Sequence, residues 1–123
     1  MESAKTLREV CTAFGVSRRA VQGYEKVGLV AATGKNKYGH LLYDEKTQKR
    51  IEQIKLYQEF GFRVREIVVL IDAPDTEVRA ALEKQVIKLE ADNQKTIALI
   101  EKAYELIDAF SAETSTYLRM EER

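Results

Sequence analysis

Three polar side chains near the start of the chain have the types and spacing that base recognition requires. They are Arg18, Arg19 and Gln22, within the stretch GVSRRAVQGYEKVGL. Arginine can donate two hydrogen bonds to guanine, and glutamine can form a two-point pair with adenine. The two arginines fall in the first turn of a predicted helix, whose N-terminus also favours phosphate oxygens, and the glutamine follows one turn later. This pattern predicts contacts with the bases and the backbone of DNA.

A pair of short helices is predicted around these residues. Thr6 and Glu9 have the form of a capping box that starts the first helix, and Gly15 ends it. Ser17 is an N-cap for the second helix, which Gly28 ends. Two short helices joined by about three residues, with glycine in the turn, are typical of a helix-turn-helix. In that motif the second helix enters the DNA major groove with its N-terminal residues first.

The segment from Leu29 to Tyr43, which we call the wing, has no helical periodicity. Glycine and asparagine residues between positions 34 and 39 interrupt it, and Lys35 and Lys37 lie among them. Residues 29–32 and 40–43 flank this tip as two short strand candidates. The segment therefore predicts a β-hairpin beside the helix-turn-helix.

Gly23 is unusual because it lies inside the second predicted helix. A glycine in a helix interior costs roughly 1 kcal/mol relative to alanine. It could permit close approach of the DNA backbone or the wing, or it could avoid a clash within the protein. The sequence favours neither explanation.

Two more helices are predicted at residues 44–60 and 64–71, followed by a strong break at Pro74. A long helix is then expected over residues 75–110, about 50 Å at a rise of about 1.5 Å per residue. Its apolar positions step by threes and fours, close to a heptad repeat, and the chain offers no second long helix to cover them. We therefore expect contact with the same helix of a second chain. The predicted dimer-interface residues are Leu82, Val86, Leu89, Asn93, Ile97, Ile100, Tyr104 and Ile107.

The predicted fold class is mainly α, with three parts. Residues 1–74 form a winged helix-turn-helix domain, residues 75–110 a dimerisation helix and residues 111–123 a short polar tail. Asn93 either fixes the register of the helix pair at some cost in stability or lies at its edge in water. The tail either frays or forms a small docking turn.

The charges divide the chain into two halves. Basic residues outnumber acidic ones by 13 to 7 in residues 1–65, and the reverse holds in residues 66–123. A basic half that faces a polyanion explains this asymmetry, and unevenly solvated surfaces explain it about equally well. No apolar run approaches membrane-span length and no secretory signal opens the chain. We therefore expect a cytoplasmic protein that binds no membrane.

No catalytic or metal-binding pattern stands out. The one cysteine, Cys11, cannot form an internal disulfide, and its predicted place on the inner face of the first helix favours a core role. The one histidine, His40, lies in the wing and cannot form a metal site alone. The chain shows no paired carboxylates, nucleophile–base set or phosphate loop. We therefore expect neither an enzyme nor a cofactor.

The sequence resembles the MerR family of bacterial transcription regulators. The resemblance runs from about Thr6 to Ile71, through TLREVCTAFGVSRRAVQGYEKVGL and YGHLLYDEKTQKRIEQIKLYQEFGFRVREI. The run YEKVGL, the YD that opens the third helix and the GF before the fourth helix are specific in combination. The long helix matches the dimerisation helix of that family. The chain looks like a short member without the large ligand domain of the multidrug-sensing relatives.

This resemblance implies a mechanism and a set of contacts. A dimer held by an antiparallel coiled coil would bind a pseudo-palindromic promoter with an overlong spacer. It would bend and untwist that DNA so that RNA polymerase, an indirect partner, reads both promoter elements. The turn between the third and fourth helices would act as a second wing, and the Tyr24 hydroxyl would meet a phosphate. The implied DNA-binding residues are Arg18, Arg19, Gln22, Tyr24, Lys35, Lys37, Tyr38, His40 and Arg63.

The chain departs from the family pattern at two places. The family's wing usually ends in GYRRYD, whereas Leu41 and Leu42 replace the two arginines here. The family usually has arginine where this chain has Gln22. Each lost phosphate contact would lower the dependence of affinity on salt by about one unit of slope. Lys35, Lys37 and Arg63 could compensate.

Alternative functions and an effector site stay open at this point. A coiled-coil adaptor whose winged unit binds another protein is the main alternative, and an architectural DNA-bending protein of the excisionase kind is a weaker one, because such proteins usually lack a long dimer helix. No cysteine follows Cys11, which is unlike the metal- and redox-sensing relatives. A small apolar ligand could bind at the dimer interface, or the same residues could pack against the partner. Those residues are Leu99, Ala103, Tyr104, Leu106, Ala109, Phe110 and Tyr117.

Overall fold

The chain folds mainly into helices, as the sequence predicts. The computed structural model describes residues 4–122, with side-chain environments described for residues 4–111. The elements in chain order are β1 (Lys5–Thr6), α1 (Leu7–Phe14), α2 (Arg18–Lys26), β2 (Gly34–Lys35), β3 (Leu41–Tyr43), α3 (Glu45–Glu59), α4 (Val64–Leu70) and α5 (Asp75–Glu122).

The helix-turn-helix forms through the local signals that predicted it. The Glu9 carboxylate accepts a hydrogen bond from the Thr6 backbone N–H at 2.9 Å, and the Thr6 hydroxyl accepts one from the Glu9 N–H at 3.3 Å. The hydrogen bond from the Thr6 backbone N–H to the carboxylate, and after it the interaction with the Thr6 side chain, lower the pKa of Glu9. Gly15 ends α1 in the left-handed conformation with φ of 63°. The Ser17 hydroxyl then caps α2 by accepting from the Ala20 N–H at 2.9 Å.

The chain forms two compact units, the first of which ends at Leu82. The core of this first unit lies where α1, α2, α3, α4 and β3 meet. Val10, Val21 and Ile51 have no exposed surface, and each comes from a different helix. Tyr43 is also fully buried, and burial together with the nearby Glu25 carboxylate raises the pKa of its hydroxyl to about 12. The buried apolar residues of this core are Val10, Val16, Val21, Tyr24, Leu29, Val30, Tyr43, Ile51, Ile54, Tyr57, Phe62 and Ile67.

The wing differs in detail from the prediction. Its strands are β2 and β3, and they pair antiparallel with Gly34 opposite Leu42. The predicted first strand at residues 29–32 is wrong, because Leu29 and Val30 insert into the core instead of pairing in the sheet. The N-terminal strand β1, which was not predicted, pairs with the other edge of β3 to give the order β1-β3-β2. The second strand candidate, at residues 40–43, is confirmed by β3.

The long helix α5 begins at Asp75, as expected, and continues to Glu122 rather than ending near Phe110. The first compact unit ends at Leu82 and the second begins at Glu83. The first unit therefore extends past Pro74, since Val78 and Leu82 of α5 pack against its core. Leu82, predicted at a dimer interface, belongs to this packing.

Candidate nucleic-acid interface

The second helix of the motif, α2, exposes the three residues predicted to read bases. Val21 and Tyr24 bury one side of α2 in the core, so the other side faces outward. Arg18, Arg19 and Gln22 are all exposed on the helix. No acidic residue occupies the first turn of α2. The N-terminus of this helix therefore presents two cations and the positive end of the helix dipole together.

Tyr24 lies in the core rather than at this surface, which counts against its predicted contact with a phosphate. The side chain is only 2% exposed, and its hydroxyl donates a hydrogen bond to the Gln58 side-chain oxygen at 2.5 Å. Burial raises the pKa of that hydroxyl. The residue joins α2 to α3 within the core, because its ring is buried there and its hydroxyl bonds a residue of α3. We therefore leave Tyr24 out of the interface.

The tip of the wing is ordered by one asparagine. The Asn36 side-chain oxygen accepts hydrogen bonds from the backbone N–H groups of Tyr38 at 2.9 Å and His40 at 3.0 Å. Gly39 allows the turn to close because its φ is 82°. The Lys37 ammonium lies 5.2 Å from the centroid of the Tyr38 ring, a cation–π contact.

The predicted contact residues of the wing surround this tip and face outward. Tyr38 is 71% exposed although it is a large aromatic side chain. Lys35, Lys37 and His40 are exposed as well. An ordered turn that presents cations and aromatic rings to solvent is suited to the sugar-phosphate backbone of a nucleic acid.

The two leucines that replace basic residues of the family pattern lie in β3. Leu42 is half-buried and pairs with Thr6 of β1 and Gly34 of β2. Leu41 is 38% exposed. The sheet therefore uses Leu42 for packing and leaves Leu41 at the surface of the wing.

Arg63 lies apart from the wing in sequence and directly precedes α4. Its backbone N–H donates to the Glu66 carboxylate at 2.9 Å, and its side chain is exposed. Phe62, just before it, is buried and fixes the turn between α3 and α4 on the core. The second-wing role of Arg63 stays a prediction.

A cleft of about 510 Å³ brings α2 and the wing together with the start of α1. Arg18 and His40 are the predicted contact residues that line it. Arg8, which the sequence reasoning did not select, lines it too. The sequence feature that could have identified Arg8 is its position in the first turn of α1, where the helix dipole disfavours positive charge.

The described residues contain no group of three or more histidine, cysteine, aspartate or glutamate side chains that could hold a metal ion. Cys11 is half-buried against the core, in agreement with its predicted role. Within the described residues, no helix is long and apolar enough to cross a membrane.

The second unit exposes an apolar stripe along α5. Leu89 and Ile97 are each 41% exposed, a large fraction for aliphatic side chains. The predicted interface residues from position 86 onward are all exposed in the single chain. Leu99, Leu106 and Phe110, from the predicted ligand pocket, are exposed too, whereas the Tyr117 side chain lies outside the described residues.

Together, the two short helices, the wing with its three-stranded sheet completed by β1, and the outward basic face of α2 define a winged helix-turn-helix protein. The family model for MerR HTH regulatory proteins matches residues 5–73. The chain belongs to this family, which confirms the resemblance inferred from its motifs.

Individual relatives agree with this assignment. The chain is 34% identical over 94 residues to the HTH-type transcriptional activator TipA of Streptomyces coelicolor, a match that covers 74% of the chain and 37% of TipA. It is similar to the crystal structure of MtaN, the N-terminus of the Bacillus subtilis multidrug transporter activator, with a TM-score of 0.64 and 27% identity. That match covers 84% of the chain and 97% of MtaN.

A third relative supports the fold alone. The crystal structure of HiNmlR, a MerR family regulator lacking the sensor domain and bound to promoter DNA, has a TM-score of 0.62 at 18% identity. The match covers 80% of the chain and 79% of HiNmlR.

Proposed function

We propose that the protein is a homodimeric, sequence-specific DNA-binding regulator of transcription that acts in the cytoplasm. The observation that carries this proposal is the outward face of α2, where Arg18, Arg19 and Gln22 lie beside an ordered wing. Arginine and glutamine are the side chains that read guanine and adenine in the major groove. Residues Lys35, Lys37 and His40 of the wing would contact the backbone and set the position of α2 on the duplex.

The dimer is supported by the exposed stripe of α5. Each aliphatic side chain gains about 1.5–3 kcal/mol when it moves from water into an apolar contact. A stripe that runs from Val86 to Ile107 of α5 therefore favours a partner with a matching stripe. A second copy of α5, packed antiparallel, supplies this matching stripe. The resulting dimer presents two winged units to a pseudo-palindromic site.

Promoter distortion is the mechanism that we infer for such a dimer. Two recognition helices bind two half-sites, and bending or untwisting the DNA between them would realign the promoter elements for RNA polymerase. Deforming a site of this kind costs on the order of 1–6 kcal/mol, which the additional wing contacts would offset. An effector, if one binds, would occupy an apolar site formed by the dimer of α5. Catalysis and a cofactor are not part of the proposal.

Selection of bound sequences from random duplex DNA, followed by affinity measurements across a salt series, tests this function. We expect enrichment of a two-fold symmetric site, with affinity that falls steeply as salt rises. A folded dimer that enriches no sequence, even at low salt, would contradict the proposal. Such a result would favour the coiled-coil adaptor, in which Leu41 faces a protein partner rather than a phosphate.

A further inference from the structure

The cleft between α1, α2 and the wing contains a cation to which the proposed function gives no role. Arg8 lines this cleft together with Arg18 and His40. No carboxylate side chain is among the lining residues, and the ion pairs found within the described residues involve neither arginine. Like charges that share a surface without an acidic partner repel one another. The cleft is therefore a place where an anion would be stabilised.

The position of Arg8 along its helix adds to this argument. It occupies the first turn of α1, where the helix dipole is positive and a cation is unfavourable. Glu9, the acidic residue of the same turn, accepts hydrogen bonds from the Thr6 backbone and so serves the cap. The local structure of α1 therefore does not explain a cation at position 8. An anion bound in the cleft would explain it.

The apolar residues that line the cleft indicate which kind of anion it would bind. Leu7 and Leu41 give the cleft apolar walls beside its two guanidinium groups. A phosphodiester in DNA joins one negative charge to apolar faces of deoxyribose, whereas inorganic phosphate is charged and strongly hydrated all round. Arg18 lies on α2 itself, so an anion in this cleft would lie directly beside the bases that α2 reads.

We propose that this cleft binds one backbone phosphate of the target DNA, with Arg8 as a positioning residue that acts together with Arg18 and His40. The inference rests on the proposed function and deepens it. A phosphate contact holds the register of the recognition helix but carries no sequence information. Arg8 therefore contributes to affinity and to its salt dependence, and not to the choice of bases.

The first test compares Arg8→Ala and Arg8→Lys with a matched control, Lys84→Ala, on the selected DNA site. Lys84 is an exposed cation of α5, so its removal changes the net charge equally. For Arg8→Ala we expect the slope of log affinity against log salt to become less steep by about 0.9 for each lost contact. Arg8→Lys keeps most of the slope, and the control keeps all of it. Base preference stays the same in every variant.

The second test identifies the phosphate itself. Single phosphates of the site are replaced in turn by neutral methylphosphonate, and binding is measured with the wild type and with Arg8→Ala. At one position per half-site, neutralisation weakens the wild type but has little further effect on the variant, which is the coupling of a double-mutant cycle.

The results separate this inference from the proposed function. If the wild type binds its site and Arg8→Ala has the same salt slope and the same methylphosphonate profile, the phosphate site is refuted and the regulator stands. If the wild type binds no duplex, the proposed function fails first. Arg8→Gln removes the charge but keeps a long side chain that favours helix, so a reduced salt slope in this variant tests the contact even where alanine disturbs α1.

Discussion

Arg50 of α3 holds Asp72, in the turn before α5, through two hydrogen bonds of 2.7 and 2.9 Å. Its Nε donates a third to the backbone carbonyl of Leu29 at 2.9 Å. One guanidinium thus joins the start of the wing, the middle of the core and the turn that leads to the long helix. This contact lies within the first unit and links the segment that follows α2 to the turn that precedes α5.

Arg50→Lys should lower the thermal stability of the protein. Lysine keeps the charge but cannot form two parallel bonds to a carboxylate and a third bond to a carbonyl from one rigid group. Lys49→Ala is the control, since Lys49 pairs with Glu45 at 3.9 Å on the exposed face of α3, where such pairs contribute little. Thermal denaturation followed by circular dichroism should show a lower midpoint for Arg50→Lys and almost no change for Lys49→Ala. Equal effects would mean that the geometry of Arg50 is unimportant.

The same contact predicts a specific pH dependence. Hydrogen bonds from Arg50 lower the pKa of Asp72 below its usual value. A lowered pKa contributes stability above the unfolded-state value, about 3.9, and that contribution disappears as the pH falls through the folded-state value. The stability difference between wild type and Asp72→Asn should therefore be largest near neutral pH and shrink in acid. A difference that is constant from pH 7 to pH 2 would contradict this assignment.

Gln22→Ala should relax base preference at one position in each half-site. A two-point contact with a base is worth about 1–3 kcal/mol of discrimination, and alanine cannot replace it. Lys26→Ala, at the exposed end of the same helix, is the control and should leave the preference unchanged. Repeating the selection with both variants gives the measurement. If Gln22→Ala retains the wild-type preference, the placement of α2 in the groove is wrong.

Gly23→Ala should stabilise the fold by roughly 1 kcal/mol, the difference in helix propensity between the two residues. A Cβ built on Gly23 meets nothing within 4 Å, so an internal clash does not explain this glycine. Gly15→Ala is the matched comparison. Its φ is 63°, and a Cβ there would lie 2.9 Å from the Lys55 ammonium, which donates to the Phe14 carbonyl.

Urea denaturation would measure both glycine variants. Gly15→Ala should lose about 1–2 kcal/mol, because an L-residue is disfavoured in the left-handed region. A destabilised Gly23→Ala would mean that the space beside Gly23 is filled in the folded protein. The effect of Gly23→Ala on DNA affinity, measured separately, reports how closely the DNA backbone approaches α2.

Leu89→Glu should convert the proposed dimer into a monomer. The substitution removes about 1.5–3 kcal/mol of apolar burial per chain and places a charge in the interface, which costs more. Gln94→Glu introduces the same charge at an exposed position of α5 outside the stripe, and it should stay dimeric. Light scattering at a concentration where the wild type is a dimer distinguishes them. A dimeric Leu89→Glu would show that the stripe is not the interface.

The sequence by itself determined the elements that depend on neighbouring residues. The caps at Thr6 and Ser17 and the turn at Gly15 were predicted correctly, because their hydrogen bonds and dihedral angles involve residues within a few positions. The helices α3 and α4 followed from apolar periodicity in the same way. Their predicted bounds agree with Glu45–Glu59 and Val64–Leu70 to within about one residue.

Only the tertiary structure decided which of the residues predicted to face solvent lie on a common surface. It buried Tyr24 against Gln58, 34 positions away, and it placed β1 beside β3 where no strand was expected. It also brought Arg8 to the cleft shared by Arg18 and His40. These outcomes depend on contacts between segments that are distant in the sequence. Local propensity and residue spacing do not specify which distant segments come into contact.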